Sequence, residues 1–272
     1  MSGVCLIWGT TFLALRIGVM SFPPFLFAAL RKITAGGILI GIVFLWVKGI
    51  RVNTKYILQQ ALGGFLMITL GNGLVSWAEV VVPSGVAAII CSVMPVWVIL
   101  INVFINRSEI PNWVIVAGVA IGLGGIVLIF SEYLVELGNP RYTWGIVLIF
   151  IATFSWSIGS ISAKKNSSSQ NVFLNAGFQM LLGGLLCLPL SWLFDDWGSI
   201  TWSREVIWSL AYLIIFGSLI AYAMYFYVLT HLPVTIASLY AYINPLVAMI
   251  LGWLVLSEKL NLKIAFAFLI TI

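Results

Sequence analysis

The sequence predicts an all-α integral membrane protein of ten transmembrane helices, arranged as two inverted five-helix repeats. Three observations carry that expectation. Of the 272 residues, 62% are hydrophobic and 8% charged, against about 25% charged in a typical soluble domain. Apolar runs follow one another along almost the whole chain, each close to the roughly 20 residues that cross a hydrocarbon core of about 30 Å. The chain also matches itself when displaced: IWGTTF at Ile7 falls on SWSIGS at Ser155, Gly36-Gly37 falls near Gly183-Gly184, Pro83 on Pro233 and Pro95 on Pro245. Five spans fit in each copy, and an odd number makes the second copy enter from the opposite side, so the copies are inverted. The first repeat is read as residues 1–138 and the second as 139–272.

Between charged and proline-rich breaks the spans are expected at residues 1–20, 25–47, 57–79, 84–105, 111–130, 142–162, 171–194, 206–229, 234–256 and 261–272. The first lacks the basic start and small-residue cleavage site of a secretory leader and reads as a membrane helix; it carries Trp8 and Thr11. The second begins after two prolines and holds Arg31 about 10 Å deep, at 1.5 Å of rise per residue. Lys32 lies about 100° further round, so the two are expected not to share one small site, and at least one of them snorkels or pairs. In the third, Asn72 stands between Gly71 and Gly73, where a ligand or another backbone can approach, and Trp77 and Glu79 close the helix. Arg31 and Glu79 are expected to pair, as an outer gate, a proton-exchanging site or a structural ion pair.

The fourth and ninth spans each contain a proline near the middle, Pro95 and Pro245. A proline leaves a backbone carbonyl without its usual donor, which lipid does not satisfy, so both helices are expected to line an interior pathway. Small and polar residues precede both prolines, Ser92 in one helix and Asn244 in the other. Gly118 and Gly122 in the fifth span have the G-x-x-x-G spacing of close helix packing, expected within a monomer or weak homodimer. Trp156 is the repeat mate of Trp8, Gln179 is the approximate mate of Arg31, and Tyr222, Tyr225 and Tyr240 form an aromatic group suited to an amphipathic solute. After SEKLNLK only nine residues remain, so the tenth helix is expected to be incomplete.

Loops give orientation and exclude functions. With the N-terminus in the cytoplasm, inner loops hold six basic residues (Lys48, Arg51, Lys55, Arg107, Lys164, Lys165) and outer loops four (Arg141, Arg204, Lys259, Lys263), the sense of the positive-inside rule. The net charge of +5 is scattered and forms no stripe for nucleic acid. Cys5, Cys91 and Cys187 lie in apolar runs without metal-ligand spacing, so no metal or other cofactor is expected. No phosphate-binding G-x-x-x-x-G-K-[ST], H-E-x-x-H or G-x-S-x-G occurs. The partners expected are the bilayer and a small-molecule solute, with proton coupling as one expected mode of transport.

IWGTTFLALRIG, FLFAALRKITAG, LGNGLVSWAEVVVPSGVAAI and ASLYAYINPLVAMILGWLVLSEKL resemble the EamA-type branch of the drug/metabolite transporter superfamily, and within it the YedA-like exporters. The resemblance covers essentially the whole chain. It implies ten helices in two inverted repeats, a place in a bacterial-type plasma (inner) membrane, and secondary active export of small organic metabolites, amino-acid-like or drug-like. The family's aromatic-small start falls on Trp8-Gly9 and Trp156-Ser157, its proline-centred helices on Pro95 and Pro245, and its acidic helix ends on Glu109 and Glu258. The chain departs from the pattern in its short tenth helix. A channel or facilitator without energy coupling is the alternative that the residues leave open.

Overall fold

The computed structural model describes residues 1–50, 52–104, 111–129, 138–166 and 171–247. Within them the chain is helical throughout, with nine helices in succession: α1 (Ser2–Val19), α2 (Pro24–Trp46), α3 (Thr54–Ala78), α4 (Ser84–Cys91 continued by Met94–Phe104), α5 (Trp113–Ile129), α6 (Thr143–Lys165), α7 (Val172–Phe194), α8 (Arg204–His231) and α9 (Val234–Val247). Seven are long and apolar enough to cross a membrane, and α5 and α9 are shorter apolar helices. The first eight expected spans coincide with α1–α8 to within about three residues. The tenth span and the acidic residues Glu109 and Glu258 lie outside the described residues.

The ends of these helices follow local chemistry. Pro23 and Pro24 start α2, where the missing N–H costs nothing. Asn53 and Asn171 cap α3 and α7 through side-chain oxygens that accept from Tyr56 N at 2.8 Å and Phe173 N at 2.9 Å. Pro83 and Pro233 precede α4 and α9 with nearly the same backbone angles, φ −57°, ψ 143° and φ −55°, ψ 146°. The N-terminus of α2 has no cap of its own; Asp195, just past α7, accepts from Leu26 N at 2.8 Å and Phe25 N at 3.3 Å.

That tertiary cap belongs to a long antiparallel contact between α2 and α7. Ile33, Gly36 and Ile40 lie against Gly184, Leu181 and Gly177 in turn. A methyl group at Gly36 would sit 2.5 Å from the Leu181 nitrogen and 2.7 Å from the Gly177 oxygen, so only glycine allows the two backbones this close. Gly183 likewise presses on the Gly64 carbonyl, which brings α3 onto α7. In lipid, apolar burial contributes little to helix association, and close packing plus hydrogen bonds between helices take its place. Thr69 donating to Gly183 O at 2.8 Å and Ser155 donating to Leu66 O at 2.9 Å are two such bonds.

The outer faces fit a bilayer. Large tryptophans near helix ends stand clear of the protein, Trp46 at 83%, Trp144 at 79% and Trp192 at 78% exposure, the position of interfacial aromatic belts. Side chains so placed would form an apolar surface far larger than soluble monomers tolerate. The expected G-x-x-x-G packing is formed at one of its two glycines: the Tyr242 ring lies on Gly122, and its hydroxyl donates to Val119 O at 2.8 Å, whereas the space at Gly118 is open.

Candidate functional site

Four helices lose their regularity at mid-depth. In α3 the stretch Phe65–Gly73 is π-helical, and in α8 so is Leu213–Ile220; wide turns of this kind occur often at functional sites. α4 turns at Ser92 and Val93, between its two segments, and α9 turns at Leu239. Pro95 and Pro245 lack the N–H groups that would bond to the carbonyls four residues earlier, those of Cys91 and Ala241. Both Cys91 and Ala241 line a central cavity of about 120 Å³.

Seven helices wall that cavity: α1, α2, α3, α4, α6, α8 and α9. Trp8 and Trp156 meet edge to face, with ring centroids 5.7 Å apart. The Tyr240 ring lies 4.6 Å from Trp8, and the Trp8 indole donates to Gly217 O at 3.0 Å, at the π-helical part of α8. Thr11 is tied to its own helix, donating to Trp8 O at 2.7 Å. The Asn244 amide nitrogen faces Tyr240 O at 3.0 Å and Cys5 O at 3.1 Å, the orientation its surroundings require.

On the side of α2 two basic side chains belong to the cavity lining. Arg31 donates through Nη2 to the Asn72 side-chain oxygen, and the Asn72 amide donates to Met67 O at 3.1 Å. Lys32 Nζ lies 4.8 Å from the centre of the Tyr222 ring, a cation–π contact. Both are buried, at 6% and 1% exposure. This corrects the expectation that they cannot share one site: α2 stands between α3 and α8, so side chains about 100° apart reach around it from its two flanks.

The expected pair between Arg31 and Glu79 is not formed. Arg31 is occupied by Asn72. The Glu79 carboxylate is fully buried, and neither oxygen has a hydrogen-bond partner among the described residues. The nearby Arg16 donates instead to the backbone oxygens of Glu79 and, at 2.7 Å, Val82.

Of the residues expected at the pathway, the cavity brings together Trp8, Thr11, Arg31, Asn72, Trp156, Tyr240 and Asn244. Helices α4 and α9 contribute lining, but Ser92, Pro95 and Pro245 stand behind it. Gln179 donates to Gln60 at 3.0 Å and Tyr225 to Ser160 at 2.9 Å; neither lines the cavity, though the Tyr225 ring packs behind Trp8 and Tyr240. Tyr222 lies beneath Lys32 without lining the cavity, and Trp77 packs at a tilt on Phe25 and Phe194. The lining also includes Ala88, Cys91, Met94, Thr153 and Gly217. Ala88 lies in the small-residue stretch before Pro95 that marked α4, whereas nothing in the sequence around Gly217 announces a π-turn.

The family model described as the EamA-like transporter family matches the chain twice, over residues 1–131 and 143–272. The chain belongs to the EamA-like transporter family. Its relatives include YedA of Escherichia coli (strain K12), an uncharacterized inner membrane transporter 34% identical over 250 residues, 91% of this chain and 78% of that one. The protein PecM of Dickeya dadantii (strain 3937) is 31% identical over 94% of this chain and 82% of its own. YoaV of Bacillus subtilis (strain 168), an uncharacterized transporter, is 25% identical over 96% and 89%. A protein of known crystal structure, 19% identical, superposes with a TM-score of 0.78 over 99% of this chain and 91% of that one, a likeness of fold. The protein is thus an integral membrane transporter, not an enzyme.

Proposed function

We propose that this EamA-family protein is a secondary carrier that moves a small organic solute, amino-acid-like or amphipathic, outward through the membrane. In this reading two inverted repeats, residues 1–138 and 139–272, rock against each other around the central cavity, so that it opens to one side at a time. The observation that carries it is the cavity wall, to which both halves contribute side chains beside four helices interrupted at mid-depth. The two π-helical stretches begin 148 residues apart, at Phe65 and Leu213, the same displacement that relates Trp8 to Trp156. The double match of the family model supports the same division.

The basic residues of the loops favour a cytoplasmic N-terminus, in a bacterial-type plasma membrane. Glu79 is the acid that suits proton coupling on geometry, because a buried carboxylate without a hydrogen-bonding partner can take up and release a proton without breaking a structural bond. At about 120 Å³ the cavity is smaller than the roughly 300–1,000 Å³ of pockets for drug-sized ligands, which favours a small metabolite.

Counterflow in proteoliposomes tests the reading. The protein, preloaded in turn with pools of amino acids, organic acids and aromatic amines, is expected to exchange one pool saturably and to stop when Asn72 is replaced by Leu. Steady single-channel current in a planar bilayer, with no saturable exchange of any pool, would identify a pore instead.

A further inference from the structure

The cavity has an unbalanced charge. Two basic side chains, each more than nine-tenths buried, face it from α2, and the described residues of its lining include no acid. A cation at membrane depth is costly unless paired, hydrated or held by dipoles. The protein supplies only part of that compensation. Arg31 has the Asn72 side-chain oxygen, but its Nε is buried and without an acceptor. Lys32 has the Tyr222 ring and, among the described residues, no hydrogen-bond acceptor. Among the described residues the buried acid nearby is Glu79, which lies behind the lining and bonds to neither.

From this we propose that the transported solute is an organic anion. Its carboxylate sits between Arg31 and Lys32, and its flat apolar body lies against Trp8, Trp156 and Tyr240. The anionic group accepts from the Arg31 guanidinium and from the Lys32 ammonium, which has three donors to give. Other parts of the lining are aromatic: the Trp156 and Tyr240 ring centroids lie 5.7 and 4.6 Å from that of Trp8, and the three rings offer faces and edges to a ring or short chain. The site therefore selects by charge on one side and by shape on the other. An amine of the same shape would bring a positive charge beside two basic side chains, with no acid among the described lining residues to receive it.

This rests on the carrier reading for transport, but binding tests it separately. Three probes of one shape, benzoate, benzamide and benzylamine, are titrated as radiolabelled ligands onto the full chain in nanodiscs and then used in exchange assays. Benzoate is expected to bind saturably, at least tenfold tighter than benzamide and benzylamine. Lys32→Met and Arg31→Gln, each checked for a single symmetric peak in size exclusion, are expected to bring the benzoate-to-benzamide ratio close to one. Lys32→Arg is expected to keep it; a purely structural role would weaken both probes together and leave their ratio alone.

Benzylamine or benzamide binding as tightly as benzoate would overturn the assignment, as would an unchanged ratio in both charge-removing variants. So would the absence of saturable benzoate binding up to about 10 mM, beyond the millimolar end of the affinity scale. Charge-dependent benzoate binding without exchange would leave the anion site standing and remove the carrier reading; exchange confined to benzylamine would do the reverse.

Discussion

Gly36 and Gly37 are neighbours on α2 with opposite surroundings, and substituting each in turn isolates the contact between α2 and α7. A Cβ at Gly36 would lie 2.5 Å from the Leu181 nitrogen, 2.7 Å from the Gly177 oxygen and 2.9 Å from the Leu181 Cα. All three are backbone atoms, so no side-chain rotation relieves the overlap and the helices must part. Overpacking of this kind costs about 1–3 kcal/mol, and a clash against backbone belongs at the upper end. Removing a helix-interior glycine returns about 1 kcal/mol, so Gly36→Ala should lose about 2 kcal/mol. At Gly37 a Cβ meets nothing within 4 Å, and Gly37→Ala should gain up to about 1 kcal/mol. The pair differs by about 3 kcal/mol, measured as the midpoint of thermal unfolding of the detergent-solubilised chain followed by size exclusion. Equal shifts of the two variants, or a stabilised Gly36→Ala, would refute the close backbone approach.

The remaining predictions concern the cap, the acid and the tyrosine. Asp195→Ala removes the acceptor of the α2 N-terminus and should lower stability by about 1 kcal/mol, while Asp195→Asn restores most of it; thermal unfolding decides. Half-burial pushes the Asp195 carboxyl above its ordinary value, against the Leu26 and Phe25 N–H groups that hold it down. A raised folded value means that the stability carried by this group is complete below the unfolded pKa of about 3.9 and declines as pH rises through the folded one. Asp195→Asn should flatten that slope in unfolding measured from pH 3 upward. Glu79→Gln, at a carboxylate with no hydrogen bond to lose, should leave the chain folded and abolish the response of uptake to a pH gradient; full uptake with an ordinary pH response would remove Glu79 from coupling. Tyr225→Phe loses one hydrogen bond of 2.9 Å to Ser160, which still donates to Trp156 O; about 1 kcal/mol of stability should go, with exchange rates preserved because Tyr225 does not line the cavity.

Spans and their order were legible because lipid imposes a length and an apolar composition on every crossing helix, and Pro23-Pro24, Pro83 and Pro233 mark where helices begin. Trp8 and Trp156 were legible as a pair because the sequence aligns with itself at a displacement of 148 residues, and the structure sets their rings edge to face. The π-helical stretches were not: a turn with one extra residue leaves Phe65–Gly73 as apolar as its surroundings. Gln179 was matched to Arg31 by the same self-alignment, but a matched position does not carry a charge or a free side chain with it, and Gln60 accepts from its amide. Lys32 was set aside because position on a helix was read without knowledge of the helix's neighbours. Only the placement of α2, with Asn72 on one flank and Tyr222 on the other, turns two diverging side chains toward one space.

That placement bears on how a carrier of this design could avoid leaking. A cavity with two basic side chains and no acid among its described lining residues lacks a counter-charge when empty, and among the described residues the buried Glu79 is placed to compensate it if α3 shifts. In the present arrangement Asn72 holds Arg31 and the backbone of Glu79 is held by Arg16. A rotation of α3 about its π-helical stretch would move Asn72 and Glu79 together, because both follow from the same turns of one helix. Exchanging Asn72 for Glu79 as the partner of Arg31 would then close the empty cavity without a solute, while a bound anion would keep Arg31 engaged and the two halves apart. On this account Glu79→Gln weakens the empty, closed state and leaves the anion-bound one unchanged. Exchange of solute for solute should persist in that variant, while net uptake, which requires the empty carrier to return, should fall at least tenfold. Equal losses in both modes would show that Glu79 acts on the loaded carrier and would dismiss the partner exchange.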